Sequence, residues 1–186
     1  MLKEELLFRD SNTEIRLFGP DGTPKPLWNP NRLGRILACV LGTHVRIPFL
    51  TGNQSLVLSN HNLITNVGHA AAAGRLSGQG TYSTFTNIAI GTGATAPAVT
   101  DTALGAEITT NGGARGAAAA SQTTTNVASD SMQLVKTFSF TGALAITEEG
   151  IFDSATTGGN MLARQTFAPI NVASGDSLQI THTVTA

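Results

Sequence analysis

Ser177-Leu178-Gln179-Ile180-Thr181-His182-Thr183-Val184-Thr185 alternates without a break, with Leu178, Ile180, His182 and Val184 on one side and Gln179, Thr181, Thr183 and Thr185 on the other. Successive side chains of a strand point to opposite faces, so a period of two predicts a strand with one buried and one wet face. Working back along the chain, Phe85 to Ile90, Ser131 to Phe140, Ala143 to Phe152 and Met161 to Phe167 are further strands. Thr141-Gly142, Gly158-Gly159-Asn160 and Ser174-Gly175-Asp176 supply turns between them. Half-wet strands joined by short turns favour an antiparallel β-sandwich over a parallel α/β sheet.

One substantial helix is expected over residues 61–76, capped by Ser59 or Asn60, because Leu63, Ile64, Val67, Ala71 and Leu76 recur near helical spacing. Ala70 to Ala73 give it a thin face suited to packing on a sheet, and Gly74, Gly78 and Gly80 loosen and end it. Thr100 to Ile108 reads as a short helical turn capped by Thr100 or Asp101. Asn111 to Ser129, a Gly, Ala, Ser and Thr tract, reads as a loop or a flat edge ribbon. It has too little apolar surface to order itself without sheet pairing or a neighbouring subunit.

Upstream, Ile15-Arg16-Leu17-Phe18 followed by Gly19-Pro20-Asp21-Gly22 has hairpin chemistry. Arg35 to Leu41 and His44 to Leu50 look like two strands joined by Gly42-Thr43, with Pro48 marking an edge. The fold class expected is therefore mainly β: an antiparallel β-sandwich with one substantial helix over residues 61–186, preceded by a β-rich N-terminal arm or small lobe over residues 1–60.

Only 12% of the chain is charged and the net charge is -1, with three lysines, which argues against a nucleic-acid partner. Charge is uneven: residues 1–75 carry eight basic and five acidic side chains, about +3, and the remainder three and seven, about -4. Such a front segment could dock on an acidic partner. The single cysteine, Cys39, sits in an apolar run and reads as a small buried hydrophobe. The sequence opens Met1-Leu2-Lys3-Glu4-Glu5, without a leader or a membrane span, so assembly in the cytoplasm is expected. Asn53-Gln54-Ser55, although acceptor-like, reads as turn chemistry.

Candidate chemistry is sparse. Gly91-Thr92-Gly93-Ala94-Thr95-Ala96 resembles a dinucleotide-binding turn, but Pro97 and Val99 intervene before any helix, so it reads as a structural corner. Glu148 and Glu149 are adjacent; neighbours on a strand face opposite ways and cannot share a substrate, so they read as a strand-end or bulge pair on the surface. His61 and His69, eight residues apart on the expected helix, would be about 12 Å apart along its axis, too far for one metal. His182 lies on the apolar face of its strand and reads as a core or interface histidine. A Ser, His, Asp triad assembles only in space, and no Gly-x-Ser-x-Gly nucleophile turn is present. No catalytic residue, cofactor or metal ligand is expected.

Several blocks, in order, resemble a widespread group of tailed-bacteriophage structural proteins described as tail-fibre-like or capsid-decoration-like. They are Leu63 to Gly74, Phe85 to Gly93, Thr100 to Ile108, Phe138 to Gly142, Ile146 to Phe152, Met161-Leu162-Ala163-Arg164 and Ile170 to Leu178. The resemblance covers about residues 62–186. It implies a virion structural protein without enzymatic activity, located in the virion after assembly in the host cytoplasm. The expected function is that of a capsid decoration, or cement, protein stabilising a shell of major capsid subunits. A tail, neck or fibre component involved in host attachment is the alternative.

The front segment lies outside the resemblance, is rich in proline turns and is basic. Arg9, Arg16, Arg32, Arg35 and Arg46 are therefore the candidate partner-binding residues. Uncharged Thr- and Ala-rich strands leave sheet edges open to pairing, which predicts a homo-oligomer, a trimer or dimer. No membrane contact is expected.

Overall fold

A computed structural model describes residues 10–41, 46, 50 and 52–186, without the side chains of Ala38, Cys39 and Leu41. In chain order the front holds β1 (Asp10–Phe18), β2 (Pro24–Lys25), β3 (Leu27–Pro30), α1 (Arg32–Leu41), β4 (Gly52–Ser55), β5 (Leu58–His61) and β6 (Leu63–Ile64). There follow α2 (Asn66–Ser77), β7 (Asn87–Gly91), β8 (Gly116–Ala117) and β9 (Ala119–Thr123). The long strands come last: β10 (Ser131–Ser139), β11 (Leu144–Phe152), β12 (Met161–Val172) and β13 (Ser177–Thr185).

The protein is mainly β, and its strands pair antiparallel throughout. One sheet runs β2-β1-β13-β10-β9, with β5 sharing the outer edge of β1 with β2. The other runs β6-β12-β11-β7-β8, and β3 pairs with β4 in a separate ribbon. The two larger sheets close on one apolar core, with Ile15, Leu134, Leu178 and Ile180 from the first and Ile88, Ile90, Ile151 and Ile170 from the second. Each such side chain removed from water contributes about 1.5–3 kcal/mol, which makes this core the main source of stability. The alternation in β13 does what it predicts: Leu178, Ile180, His182 and Val184 are all buried.

β1 belongs to the expected front segment yet lies inside the first sheet. All nine of its residues pair with β13, Asp10 opposite Thr185 through Phe18 opposite Ser177. Residues 10–18 are thus part of the first sheet; their alternating buried positions, Ser11, Thr13, Ile15 and Leu17, contribute to the core with residues 131–184. The hairpin at Gly19-Pro20-Asp21-Gly22 forms as expected, with Gly22 at φ 78° and its N–H donating to Gly19 O.

Four local readings are corrected, three of them at helices. Arg35 to Leu41 is the body of α1, not a strand: a continuous apolar run is ambiguous between the two, and Asn31 decides it by accepting the Gly34 N–H at 2.9 Å as a cap. The main helix starts at Asn66 instead of residue 61, because Leu58–His61 and Leu63–Ile64 are drawn into pairing with β1 and β12. Thr65 then caps it, accepting from Gly68 N at 3.0 Å and donating to Met161 O at 2.5 Å. Thr100 to Ile108 forms turns and an isolated bridge, with Asp101 Oδ2 accepting from Ala98 N, and no helix.

Asn53-Gln54-Ser55 is strand in β4, not turn. The expected strand over His44 to Leu50, with Pro48, lies for the most part outside the described residues, as does the burial of the Cys39 side chain. The low-hydrophobicity tract is a ribbon: β8 pairs with β7 in one sheet and β9 with β10 in the other, so the chain changes sheets at Ala118. Among the described residues no helix is long and apolar enough to cross a membrane.

Candidate functional site

The five candidate arginines do not gather into one patch. Arg9 lies outside the described residues. Arg16 is exposed on β1 and donates to Glu14 at 3.3 Å, and the exposed Arg46 donates to Pro169 O at 3.1 Å. Only Arg32 and Arg35 share an element, the exposed side of α1.

Four of the seven acidic residues of the back half are bound by a lysine or arginine of the chain. Asp176 is buried and receives Lys25 Nζ at 2.6 Å, Glu107 binds Arg115 at 2.5 Å, and Arg164 binds both Asp101 and Glu148 at 2.7 Å. Arg115 also stacks over the Phe152 ring at 3.5 Å and donates to the carbonyls of Thr156 and Gly158, which fixes the loop between β11 and β12.

The strongest constellation is built on Glu148. Alternation in β11 turns Glu148 and Glu149 to opposite faces, as expected, but both are fully buried, which overturns their reading as a surface pair. For Glu148 the reason is the segment from Thr92 to Ile108, which folds over the outer face of the second sheet and places Leu104 against Ala89, Phe152 and Met161. Beneath it, Glu148 accepts backbone N–H bonds from Gly93 at 2.9 Å, Gly105 at 3.0 Å and Ala106 at 2.8 Å, plus Arg164 Nε and Nη2 at 3.0 and 2.7 Å. Burial pushes the Glu148 carboxyl up, but these donors together outweigh it and hold it below its ordinary value. A Cβ at Gly91 or Gly93 would collide with the Glu148 carboxylate, which explains the glycines of Gly91-Thr92-Gly93. The turn that resembles a phosphate loop wraps the protein's own anion.

Glu149 faces the other way, into the core between the sheets. Its Oε1 lies 3.3 Å from His182 Nδ1 and accepts from Asn62 Nδ2 at 2.9 Å; Thr13 Oγ1 donates to Asn62 Oδ1 at 2.9 Å. Ser11 Oγ lies 3.0 Å from His182 Nε2. Ser11, His182 and Glu149 thus stand in the order of a charge-relay triad, assembled from β1, β13 and β11. The arrangement is closed, however: Ser11 is 5% exposed on the core face of β1, and the Asn62 amide nitrogen sits within hydrogen-bond distance of both ring nitrogens. A substrate carbonyl would have to enter between the packed sheets. What the cluster can do is tie the two sheets together through polar contacts, with His182 a core histidine as its alternation implies. Glu149 Oε2 and both amide atoms of Gln165, opposite Glu149 in β12, are buried without a hydrogen-bond partner among the described residues.

A cavity of about 440 Å³, mostly apolar, opens where α2 meets the ends of both sheets; Ala72, Phe85, Met132, Leu162 and Val184 line it. Among the described residues no cluster of three His, Cys, Asp or Glu could hold a metal ion, and His61 is on β5, paired with Asp10, away from the helix that carries His69.

The Glu148 clamp and the Glu149 cluster both escaped the sequence reading. One signal pointed to the first: Arg164 is a lone charge inside the long strand β12, and a buried guanidinium needs a carboxylate partner. Compared with protein-family profiles, curated proteins and solved structures, the chain matches none.

Proposed function

We propose that this chain is a non-enzymatic structural protein of a tailed-bacteriophage virion, a capsid decoration subunit that binds and stabilises a shell of major capsid subunits. One observation carries the reading. Four of the seven sequence blocks that resemble the phage group converge on a single buried clamp: Gly93 from the second, Asp101, Gly105 and Ala106 from the third, Glu148 from the fifth and Arg164 from the sixth. Their polar groups are consumed in holding a loop on a sheet, which suits a subunit that works by presenting a fixed surface.

The same reading includes self-association into a dimer or trimer, supported by the uncharged, exposed edge strand β9, whose sequence is Ala119-Ala120-Ser121-Gln122-Thr123. Labelling the protein on intact particles tests the function. Many copies over the shell are expected. A few copies at the neck or tail would transfer the protein to the fibre or adaptor class, and absence from the particle would overturn the virion assignment.

A further inference from the structure

Seven of the nine described cationic residues of the chain already have a partner. Arg16, Lys25, Arg115 and Arg164 bind carboxylates, Arg46 and Arg75 bind backbone carbonyls, and Lys136 lies 4.7 Å over the Phe138 ring. The remaining two are Arg32 and Arg35, both exposed and both on α1.

The same helix breaks a second rule. Leu33, Ile36 and Val40 are 42%, 50% and 74% exposed, although apolar side chains on a surface helix normally turn inward. Their spacing, i, i+3 and i+7, puts them in one stripe along the helix, about 10 Å long from Leu33 to Val40 by the rise per residue. At 100° per residue, Arg32 and Arg35 fall on the same side of that stripe, Arg32 about 40° and Arg35 about 100° around the helix from Ile36. An outward apolar stripe edged on one side by unpaired guanidinium groups is the pattern of a helix made to lie in a groove. The apolar residues supply the buried contact, and the arginines fix its direction by pairing with carboxylates along one wall.

We infer that α1 is the docking element of this protein, and that its partner is a different virion subunit offering an apolar groove with carboxylates along one wall. The inference rests on the virion reading and narrows it, moving attachment from five scattered arginines to Arg32 and Arg35 with Leu33, Ile36 and Val40. Charge complementarity selects a foreign partner over a second copy, since most carboxylates of the back half of this chain are already engaged within the fold.

The test uses full-length protein and phage particles assembled without it. Arg32→Glu with Arg35→Glu keeps the helix, because acidic residues in a first turn suit its dipole. This double variant should bind particles at least about tenfold more weakly than the parent, and binding of the parent should fall steeply with added salt. Ile36→Ser with Val40→Ser should cause a comparable loss with little change in salt dependence. Arg16→Glu with Arg46→Glu, equal in charge change but on paired residues, should bind as the parent does. Unaltered binding of the Arg32/Arg35 variant, or equal loss in the control, would overturn the docking role of α1 while leaving the virion reading intact. Loss of a parent dimer or trimer in the α1 variants would reassign the stripe to self-association. Failure of the parent itself to bind any particle would instead sink the virion reading.

Discussion

Glu148 and Arg164 meet at 2.7 Å on adjacent strands, both side chains shut away from solvent under the Thr92 to Ile108 segment. Burying this pair is tolerable only because three backbone N–H groups and Asp101 complete its hydrogen bonding. Removing one partner strands the other charge. Arg164→Met should therefore lower unfolding free energy by about 3–5 kcal/mol. Adding Glu148→Gln to that variant should cost less than the two single changes summed. Urea titration of the four proteins in a double-mutant cycle measures the coupling, and additive losses would show that the clamp does not act as a unit.

Stability should also fail in acid from a defined set of carboxylates. The Glu148 carboxyl is held low as described, and Asp176 likewise: burial raises it, but Lys25 and the Ala173 N–H outweigh that. Asp101 is lowered by the Ala98 N–H first and by Arg164 against the opposing effect of burial. A depressed folded value means that the unfolded chain takes up protons first, starting near its ordinary carboxylate range of about 3.9–4.3. Their contribution is then complete above that range and lost as pH falls through the folded values. Urea midpoints measured from pH 7 to pH 3 should stay nearly flat to about pH 5 and drop below about pH 4. Glu148→Gln should begin lower and fall less.

Periodicity made the sheets legible: β10, β11, β12 and β13 lie where the sequence puts strands, because one-face burial and turn chemistry are both local. The Gly91-Thr92-Gly93 corner was legible for the same reason. α1 was not, because Ile36 to Leu41 is an unbroken apolar run, and its helical form depends on the Asn31 cap and on an exposed stripe that patterning treats as core. The start of α2 was missed because β1 and β12 claim residues 58–64 from far away in sequence. Likewise, the burial of Glu148 and Glu149 depends on residues 93–106 and 164 on one face and on residues 13, 62 and 182 on the other. Adjacent carboxylates carry no local mark of such partners.

A chain beginning at Ser59 should not fold. It retains α2 and the long strands, but loses β1, which covers the full length of β13 and supplies Ile15 and Leu17 to the core and Thr13 to the Glu149 cluster. The exposed edge of β13 would present nine unpaired residues, a template for aggregation. Circular dichroism melting and gel filtration should show a non-cooperative or aggregated product. A soluble fragment with a sharp melt would place the independent unit after residue 58 and make β1 an accessory strand.

Self-association should run through β9. It ends the first sheet, pairing with β10 alone among the described strands, and its five residues carry neither charge nor proline. Edge strands that stay unpaired in solution usually carry lysine or proline that blocks a second edge from approaching; β9 has no such device. Two β9 edges could extend the sheet from one copy to the next about a twofold axis, each burying the main-chain groups of the other. Ala119→Lys with Ser121→Lys brings four like charges together in such a pair while leaving the bonds to β10 intact. Sedimentation velocity should then show a dimer for the parent and a monomer for the variant, with equal melting behaviour of the monomer. A parent that remains monomeric at every concentration tested removes the oligomer from the proposal, and an oligomer that survives the lysines places its interface elsewhere.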